Sequence, residues 1–273
     1  TLYESLLEHS SDFILHYLCI DSESYNILKN FESNSLVVHN LTDLLIKDKK
    51  LYVLQQNDYK YFCWSLASYF TNYLLKTDIN EITYIDSDIL LYDDIKLILS
   101  EIGKKEVAIF RHRQFNLSTP RPEGWFNVGI VHFKKGYAGQ HLLEWWADAV
   151  LNQKYPHLAT CGDQKYLDEF LNMCPDDLLF VDGNIGHGAP WQWQLYDWSS
   201  YEKDGCIIWD GKKQKLIFSH FSQFVMGDNS YVPSTQHHIY TPLNMYESIP
   251  SLKFIYNDYY NKIKKNRVKI YGQ

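Results

Sequence analysis

Residues 81–94 read EITYIDSDILLYDD. A mostly apolar run, Ile82-Thr83-Tyr84-Ile85, stops in Asp86-Ser87-Asp88, and a second acidic pair, Asp93-Asp94, follows. A strand that ends in carboxylates puts them at the carboxyl edge of a sheet, where open α/β folds bind their ligands. Side chains two apart on an extended chain share a face, so Asp86 and Asp88 repel unless a cation lies between them. A hard divalent ion, Mn²⁺ or Mg²⁺, answers that need and keeps positions open for phosphate oxygens. The alternative is a pair of ordinary loop acids, one of them capping the next helix.

Outward from this stretch, the chain alternates strands and helices. TLYESLLEHS is helical in pattern, DFILHYLCID reads as a strand, and SESYNILKNF as a short helix with Ser22 as N-cap. SLVVHNL is the next strand, followed by the long apolar helix YKYFCWSLASYFTNYLLKT and then EITYID itself. This order predicts an α/β fold with a parallel sheet covered by helices. Such a fold ordinarily opens on a strand, whereas this sequence opens on a helix, so a first strand is expected to be missing from it. Beyond Asp94 come a helix (DIKLILSEIG), a strand (EVAIFRHR), a Pro-containing loop (NLSTPRPEG) and a strand (WFNVGIVHFKKG). A Trp-bearing helix, GQHLLEWWADAVLNQ, precedes CGDQKYLDEFL, helical after Asp163; LLFVDG is a strand, and CIIWDG with KLIFSHF forms a hairpin on an Asp-Gly turn. No repeat, low-complexity tract or linker divides residues 1–273, so one domain is expected, with a helical, basic tail from about residue 245.

The 273 residues are 45% hydrophobic and 22% charged, which supports a sizeable core. A formal net charge of -7 argues against a nucleic-acid binder. The five cysteines form no CxxC and no Cys/His spacing of a zinc site, and read as free thiols of a reducing compartment, hence a cytoplasmic chain. No apolar run has the roughly 20 residues of a membrane span. The segment NKIKKNRVKI reverses the overall charge locally. It reads either as a solvated terminal helix or as a foot for peripheral contact with the inner membrane surface.

Five segments in order resemble the GT-A (Rossmann-like) glycosyltransferases, particularly the bacterial family-8-like enzymes and related nucleotide-diphospho-sugar transferases. ITYIDSDIL resembles the apolar strand and DxD motif, GWFNVGIVHFKKG the Asn-x-Gly strand, and GDQKYLDEF the Asp-Gln pair that opens a helix. APWQW and LIFSHF resemble the later loop and the late strand with its histidine. The resemblance spans about Tyr3 to Phe224. It implies a mixed, mostly parallel sheet and a metal-dependent hexosyltransferase using a nucleotide-diphosphate sugar, UDP-linked by expectation, with a glycan, lipid-linked or protein acceptor and retention of configuration. It implies further that Asp86, Asp88 and His220 hold Mn²⁺ or Mg²⁺, and that Asp86, Ser87, Asp88, Asn127 and Gly129 lie along the donor. Asp163 and Gln164 would sit at the transferred sugar as the catalytic pair.

The Trp-rich loop offers Trp191 and Trp193 either as an acceptor platform or as core packing. Two departures stand out. No Arg precedes Arg111, leaving Lys60 or the cluster Arg111-His112-Arg113 to compensate unless the latter is a surface patch. HFSQFV also lacks the Gly- and Lys-containing continuation common after the family's histidine, which bears on the phosphate clamp. Two other classes compete: a phosphohydrolase of the haloacid-dehalogenase type, which also uses strand-Asp-x-Asp, and a non-catalytic sugar-nucleotide or glycan-binding module.

Overall fold

The computed structural model describes residues 1–113 and 122–271; most of the Pro-containing loop expected at 116–124 lies outside them. The first half runs α1 (Leu2–His9), β1 (Leu15–Cys19), α2 (Ser22–Lys29), β2 (Leu36–Asn40), α3 (Leu41–Lys47), α4 (Lys49–Asn57), α5 (Tyr59–Leu75), β3 (Glu81–Ile85), β4 (Ile89–Leu91) and α6 (Lys96–Ile102). There follow β5 (Val107–Arg111), β6 (Phe126–Lys134), α7 (Tyr137–Leu151), a 3₁₀ segment (Gln164–Glu169), α8 (Phe170–Met173), β7 (Leu179–Val181) and β8 (Gly186–Gly188). The last part holds α9 (Tyr201–Asp204), β9 (Cys206–Trp209), β10 (Lys212–His220), β11 (Val225–Met226), β12 (Tyr231–Val232), α10 (Leu243–Ser248) and α11 (Pro250–Tyr271). The cap of helix α2 is Asp21, one residue before the expected Ser22: its carboxylate accepts from the Ser24 amide at 2.7 Å, and a carboxylate is a good partner for the first-turn donors.

The expected α/β class, with helices flanking mixed sheets, is what the chain adopts. The central sheet has the order β3-β6-β5-β7, with β6 antiparallel to both β3 and β5 and β7 parallel to β5. A second sheet, β4-β10-β8, joins β10 antiparallel to β4 and parallel to β8, and β9 pairs with the first half of β10 across Asp210-Gly211. Apolar periodicity marks a strand but carries no direction, so the antiparallel ladders around β6 were invisible to it. Along β5 and β6, Val107, Ile109, Val131 and Phe133 face a core built with α5 and α7, while Ala108, Phe110 and Ile130 face the opposite one, with α1 and α6.

Strands β1 and β2 form their own parallel pair. Between β1 and β3 lies a cleft of about 660 Å³ lined by residues 15–18 and 82–85, with Leu2 and Leu6 of α1 and Leu66, Phe70 and Leu74 of α5 among its walls. Among the described residues neither strand has a partner on this side.

The end of β5 is fixed by a buried ionic knot, which corrects both readings of the Arg111-His112-Arg113 cluster for Arg113, while Arg111 is exposed. Arg113 is wholly buried and does not face the candidate site. Its guanidinium donates to Asp182 at 3.3 Å, to Gln214 Oε1 at 2.9 Å and to the Ile185 carbonyl at 2.9 Å, and stacks on Trp209 at 4.0 Å. The Asp182 carboxylate also accepts from the Arg111 amide at 2.6 Å. Burial pushes its pKa up, but His187 and Arg113 outweigh that and hold it below the usual carboxylate range. Removing one partner of such a pair strands the other charge, at a cost of about 3–5 kcal/mol. Arg113→Met is therefore expected to lower the melting temperature by roughly 10 °C, at 2–4 °C per kcal/mol, in a calorimetric scan. Loss of a degree or less would show the knot to be dispensable.

Candidate metal and sugar-nucleotide site

The acidic pair sits on a turn, not on an extended segment. The Asp86 amide still donates to the Gly129 carbonyl at 2.9 Å, continuing the β3–β6 ladder, but the Ile89 amide then closes back on the Asp86 carbonyl at 3.1 Å. The turn, rather than strand alternation, brings the two carboxylates together. It also starts β4, whose pairing with β10 sets Ile89 opposite His220. The Phe221 amide donates to the Asp88 carbonyl at 2.9 Å. Two short ladders therefore carry a residue 132 positions downstream of Asp88 to within reach of it.

His220 Nε2 lies 3.1 Å from Asp88 Oδ1 and 3.5 Å from Asp86 Oδ2. Ligand atoms from the three side chains fall within 4.8 Å of one another. The ring is oriented by Asn127. Asn127 Oδ1 accepts from the Gly129 amide at 2.9 Å, which fixes it as the amide's acceptor end, and His220 Nδ1 therefore donates to it at 3.1 Å. Nε2 is left facing the carboxylates. Asn127 Nδ2 donates to Gln164 Oε1 at 2.9 Å and lies 3.4 Å from His112 Nε2. Gln164 in turn accepts from the Val128 amide at 3.3 Å and donates to the Glu123 carbonyl at 3.0 Å.

A break in the β5–β6 register makes this possible. Ile109 pairs with Val131, but Phe110 pairs with Asn127, so residues 128–130 bulge out of the ladder with β5. The bulge carries Gly129 so close to its neighbours that a Cβ there would lie 2.6 Å from Asn127 Oδ1 and 2.7 Å from His220 Nδ1. Glycine is required for space, since its backbone is not left-handed.

The charges are unevenly tuned. Burial and the neighbouring Asp88 raise the Asp86 pKa despite His220, and the Tyr84 hydroxyl donates to Asp86 Oδ1 at 2.5 Å. Asp88 is also penalised by burial, but His220 prevails and lowers its pKa. Burial works against the imidazolium of His220, and the two carboxylates overcome it, so its pKa is raised. Asp163, 4% exposed, is pushed up to about 8, first by burial and then by the charge of Asp86. Its carbonyl accepts from the Trp146 indole at 3.0 Å, and Gly162 before it is left-handed, with the Trp64 ring where a Cβ would go.

The structure thus gathers Asp86, Asp88, His220, Asn127, Gly129 and Gln164 into one contact network, with Asp163 electrostatically coupled to Asp86. Ser87 is exposed at the turn. Trp191 packs edge-on against both His220 and His112, at ring separations of 5.5 and 5.3 Å. Trp193 corrects the platform expectation: it is wholly buried, its indole donating to Tyr256 at 3.1 Å, and has no surface to offer an acceptor. Lys60 stacks on Trp64 at 4.7 Å. Sequence reasoning missed Tyr84 and the inward role of His112. Tyr84 was findable, because it lies two residues before Asp86 on one strand face; His112 was masked by its two arginine neighbours.

No family model matches the chain. It is 28% identical over 242 residues to the uncharacterized protein YfnF of Bacillus subtilis (strain 168), covering 82% of this chain and 76% of that protein. It is 25% identical over 242 residues to the uncharacterized protein YfnD of the same organism, covering 82% and 73%. Among solved structures it is similar to the apo form of mouse xyloside xylosyltransferase 1, with a TM-score of 0.47, 18% identity, and coverage of 80% of this chain and 89% of that one.

The donor set fits a divalent ion. Ligand atoms about 2.1 Å from a six-coordinate ion and at right angles to each other lie about 3 Å apart, close to the His220–Asp88 spacing. Protons compete for the same atoms: the imidazolium, held above the ordinary histidine range by Asp88 and Asp86, must lose its proton before Nε2 can coordinate. Calorimetric titration with Mn²⁺ is therefore expected to show affinity falling as pH drops through the raised pKa of His220, already above the ordinary histidine range, and proton release on binding. Gly129→Ala should weaken binding about 10–100-fold at every pH by displacing the residue that orients the ligand. Equal affinity in that variant would contradict this coupling.

Proposed function

We propose that the chain is a GT-A-type glycosyltransferase that transfers a hexose from a nucleotide-diphosphate sugar, with the donor's diphosphate carried on a divalent ion at Asp86, Asp88 and His220. The observation that carries this reading is the convergence of the sequence-distant motifs: Asp-x-Asp, Asn-x-Gly, Asp-Gln and the late His meet through the side chain of Asn127. Any one of these segments is commonplace. Their assembly with an imidazole nitrogen between two carboxylate oxygens is not required by packing.

Asp86, Asp88 and His220 would hold the divalent ion, with Mn²⁺ suited to mixed nitrogen and oxygen ligands, and when bound it would neutralise charge on the leaving nucleoside diphosphate. The remaining work belongs to the chain. Asn127 and Gln164 present a pre-oriented amide pair beside the ligands, and fixed dipoles of this kind need no reorganisation when charge develops. Asp163, its pKa raised to about 8 by burial and Asp86, keeps its proton more readily than an ordinary carboxyl group and would hydrogen-bond the transferred sugar rather than act as a base. This agrees with the retention that the family resemblance implies, since an inverting reaction needs an ionised base for the acceptor hydroxyl. UDP-linked donors and a glycan, lipid-linked or protein acceptor follow from the family resemblance. The buried histidine between the two acids weighs against the phosphohydrolase reading, in which the first Asp must be free to attack.

Incubation with a panel of UDP- and GDP-sugars, with and without Mn²⁺, tests the proposal through released nucleotide. Metal-dependent release from at least one donor is expected, and it should fall at least about 10³-fold in Asp86→Asn/Asp88→Asn. Turnover that ignores the metal, or survives in that double variant, would overturn the assignment.

A further inference from the structure

A second cavity, of about 400 Å³, adjoins the acidic turn. Asp88 lines it, and so do Tyr259, Ile263 and Arg267, which follow one another at helical spacing on one face of α11. Burial raises the Tyr259 pKa and the charge of Asp88 raises it further, so this end of the stripe lies near the acid. Arg267 comes two turns later, about 12 Å along the axis. Phe221 stacks on Tyr259 with ring centroids 3.7 Å apart, and Phe224 meets Tyr259 edge-on at 5.1 Å, which gives the cavity an aromatic floor. The segment after His220 forms a further wall. It turns at once: the Phe224 amide donates to the Phe221 carbonyl at 3.0 Å, and Gln223 is left-handed, with a φ of 62°. Such a backbone is strained in any residue but glycine. Thr235 holds it there. Its amide donates to the Gln223 carbonyl at 3.0 Å and its hydroxyl to Gln223 Oε1 at 3.1 Å, leaving the Nε2 hydrogens without a partner among the described residues.

Arg267 is the one cation lining this cavity among the described residues. It is exposed and forms no ion pair among them, whereas Lys262 and Lys269 of the same helix bridge to Glu8 and Glu4 of α1. Asn127, Asp163 and Gln164, read above as facing the donor sugar, do not line it. Resting on the transferase reading, we infer that the cavity is the acceptor subsite and that Arg267 selects an acceptor glycan carrying a carboxylate or phosphate group. The acceptor hydroxyl must reach the sugar carbon beside the ion, and Asp88 is common to the ion's ligands and the cavity wall. A diphosphate on the ion keeps its ligating oxygens about 2 Å from it, whereas Arg267 stands two helical turns off, where it meets a group several bonds beyond the reacting hydroxyl. The planar guanidinium matches either anion with two parallel hydrogen bonds. The uncommitted Gln223 hydrogens suit a sugar hydroxyl, and the aromatic floor suits the apolar face of a sugar ring. Binding such remote groups orients the one that reacts.

Saturation-transfer NMR on the full chain, without added metal or donor, tests the anion site apart from catalysis. The probes are glucuronate and glucose 6-phosphate, with glucose as the neutral control. Both acidic probes are expected to bind at least about tenfold more tightly than glucose, and less tightly as salt is added. Arg267→Gln should lose about 10–100-fold in affinity for them, the range of a charged hydrogen bond. Lys264→Gln, at a cation outside the cavity, should keep that affinity. Both variants alter exposed side chains, and an unchanged melting temperature verifies that they fold. With a donor that turns over, Arg267→Gln should raise the KM of an acidic acceptor more than that of its neutral counterpart. If no donor turns over, the transferase reading falls, and probe binding still decides the anion site. Equal binding of acidic and neutral probes, undiminished binding by Arg267→Gln, or a larger rise in donor KM than in acceptor KM would overturn the inference, the last by assigning Arg267 to the diphosphate.

Discussion

The side chain of Asn127 is the pivot of the site. Its carbonyl oxygen, already committed to the Gly129 amide, can only accept from His220 Nδ1, and this turns the other imidazole nitrogen toward Asp86 and Asp88. Its amide nitrogen reaches Gln164 and faces His112. One residue thereby ties together segments from β5, β6, the 3₁₀ turn and β10. Such outer contacts decide the tautomer and basicity of a ligating histidine as much as the ligand itself does. The break in register between β5 and β6 is what lets Asn127 turn inward, and the absent side chain of Gly129 is what lets the ring approach.

Around that pivot, the protein places charge where it is costly and holds it there. Two carboxylates share a turn, a third carboxyl group, Asp163, lies close enough for the charge of Asp86 to raise its pKa, and the histidine is the counter-charge between the first two. On the inner side of the cluster the Tyr84 hydroxyl donates to Asp86, and Trp191 packs edge-on to His220. A separate ionic knot, Arg113 with Asp182 and His187, pins the end of β5 behind His112. His187 there is driven down to about 4, by burial first and Arg113 next, and is neutral at physiological pH. The two clusters differ in purpose as they do in exposure. The knot is fully enclosed and spends its donors on the fold, whereas the acids at Asp86 and Asp88 remain open to an incoming cation.

Much of this was legible in the sequence. The α/β class, the strands ending at Asp86 and His220, the hairpin at Asp210-Gly211 and the long helix at 59–75 all follow from periodicity and turn chemistry. The membership of the site was legible only through the order of its motifs. Strand direction was not, because apolar alternation looks the same in either sense. Helices α3 and α4 escaped notice because each is short and the two abut at Asp48, and it is Asn40 and Asp48, capping with their side chains, that start them. Trp193 was misjudged for a related reason: sequence reveals that an aromatic residue is present but not which side of a loop it takes, and Tyr256, 63 positions away, decides that.

The central claim is that His220 Nε2 is a metal ligand beside Asp86 and Asp88. Pulsed electron paramagnetic resonance of the Mn²⁺-loaded protein tests it directly, because a coordinated imidazole imprints a ¹⁴N modulation on the manganese signal. One bound Mn²⁺ with a directly bonded nitrogen is expected, and the nitrogen modulation should vanish in His220→Gln while the metal still binds more weakly through the carboxylates. A manganese signal without nitrogen coupling, or one that His220→Gln leaves unchanged, would contradict it.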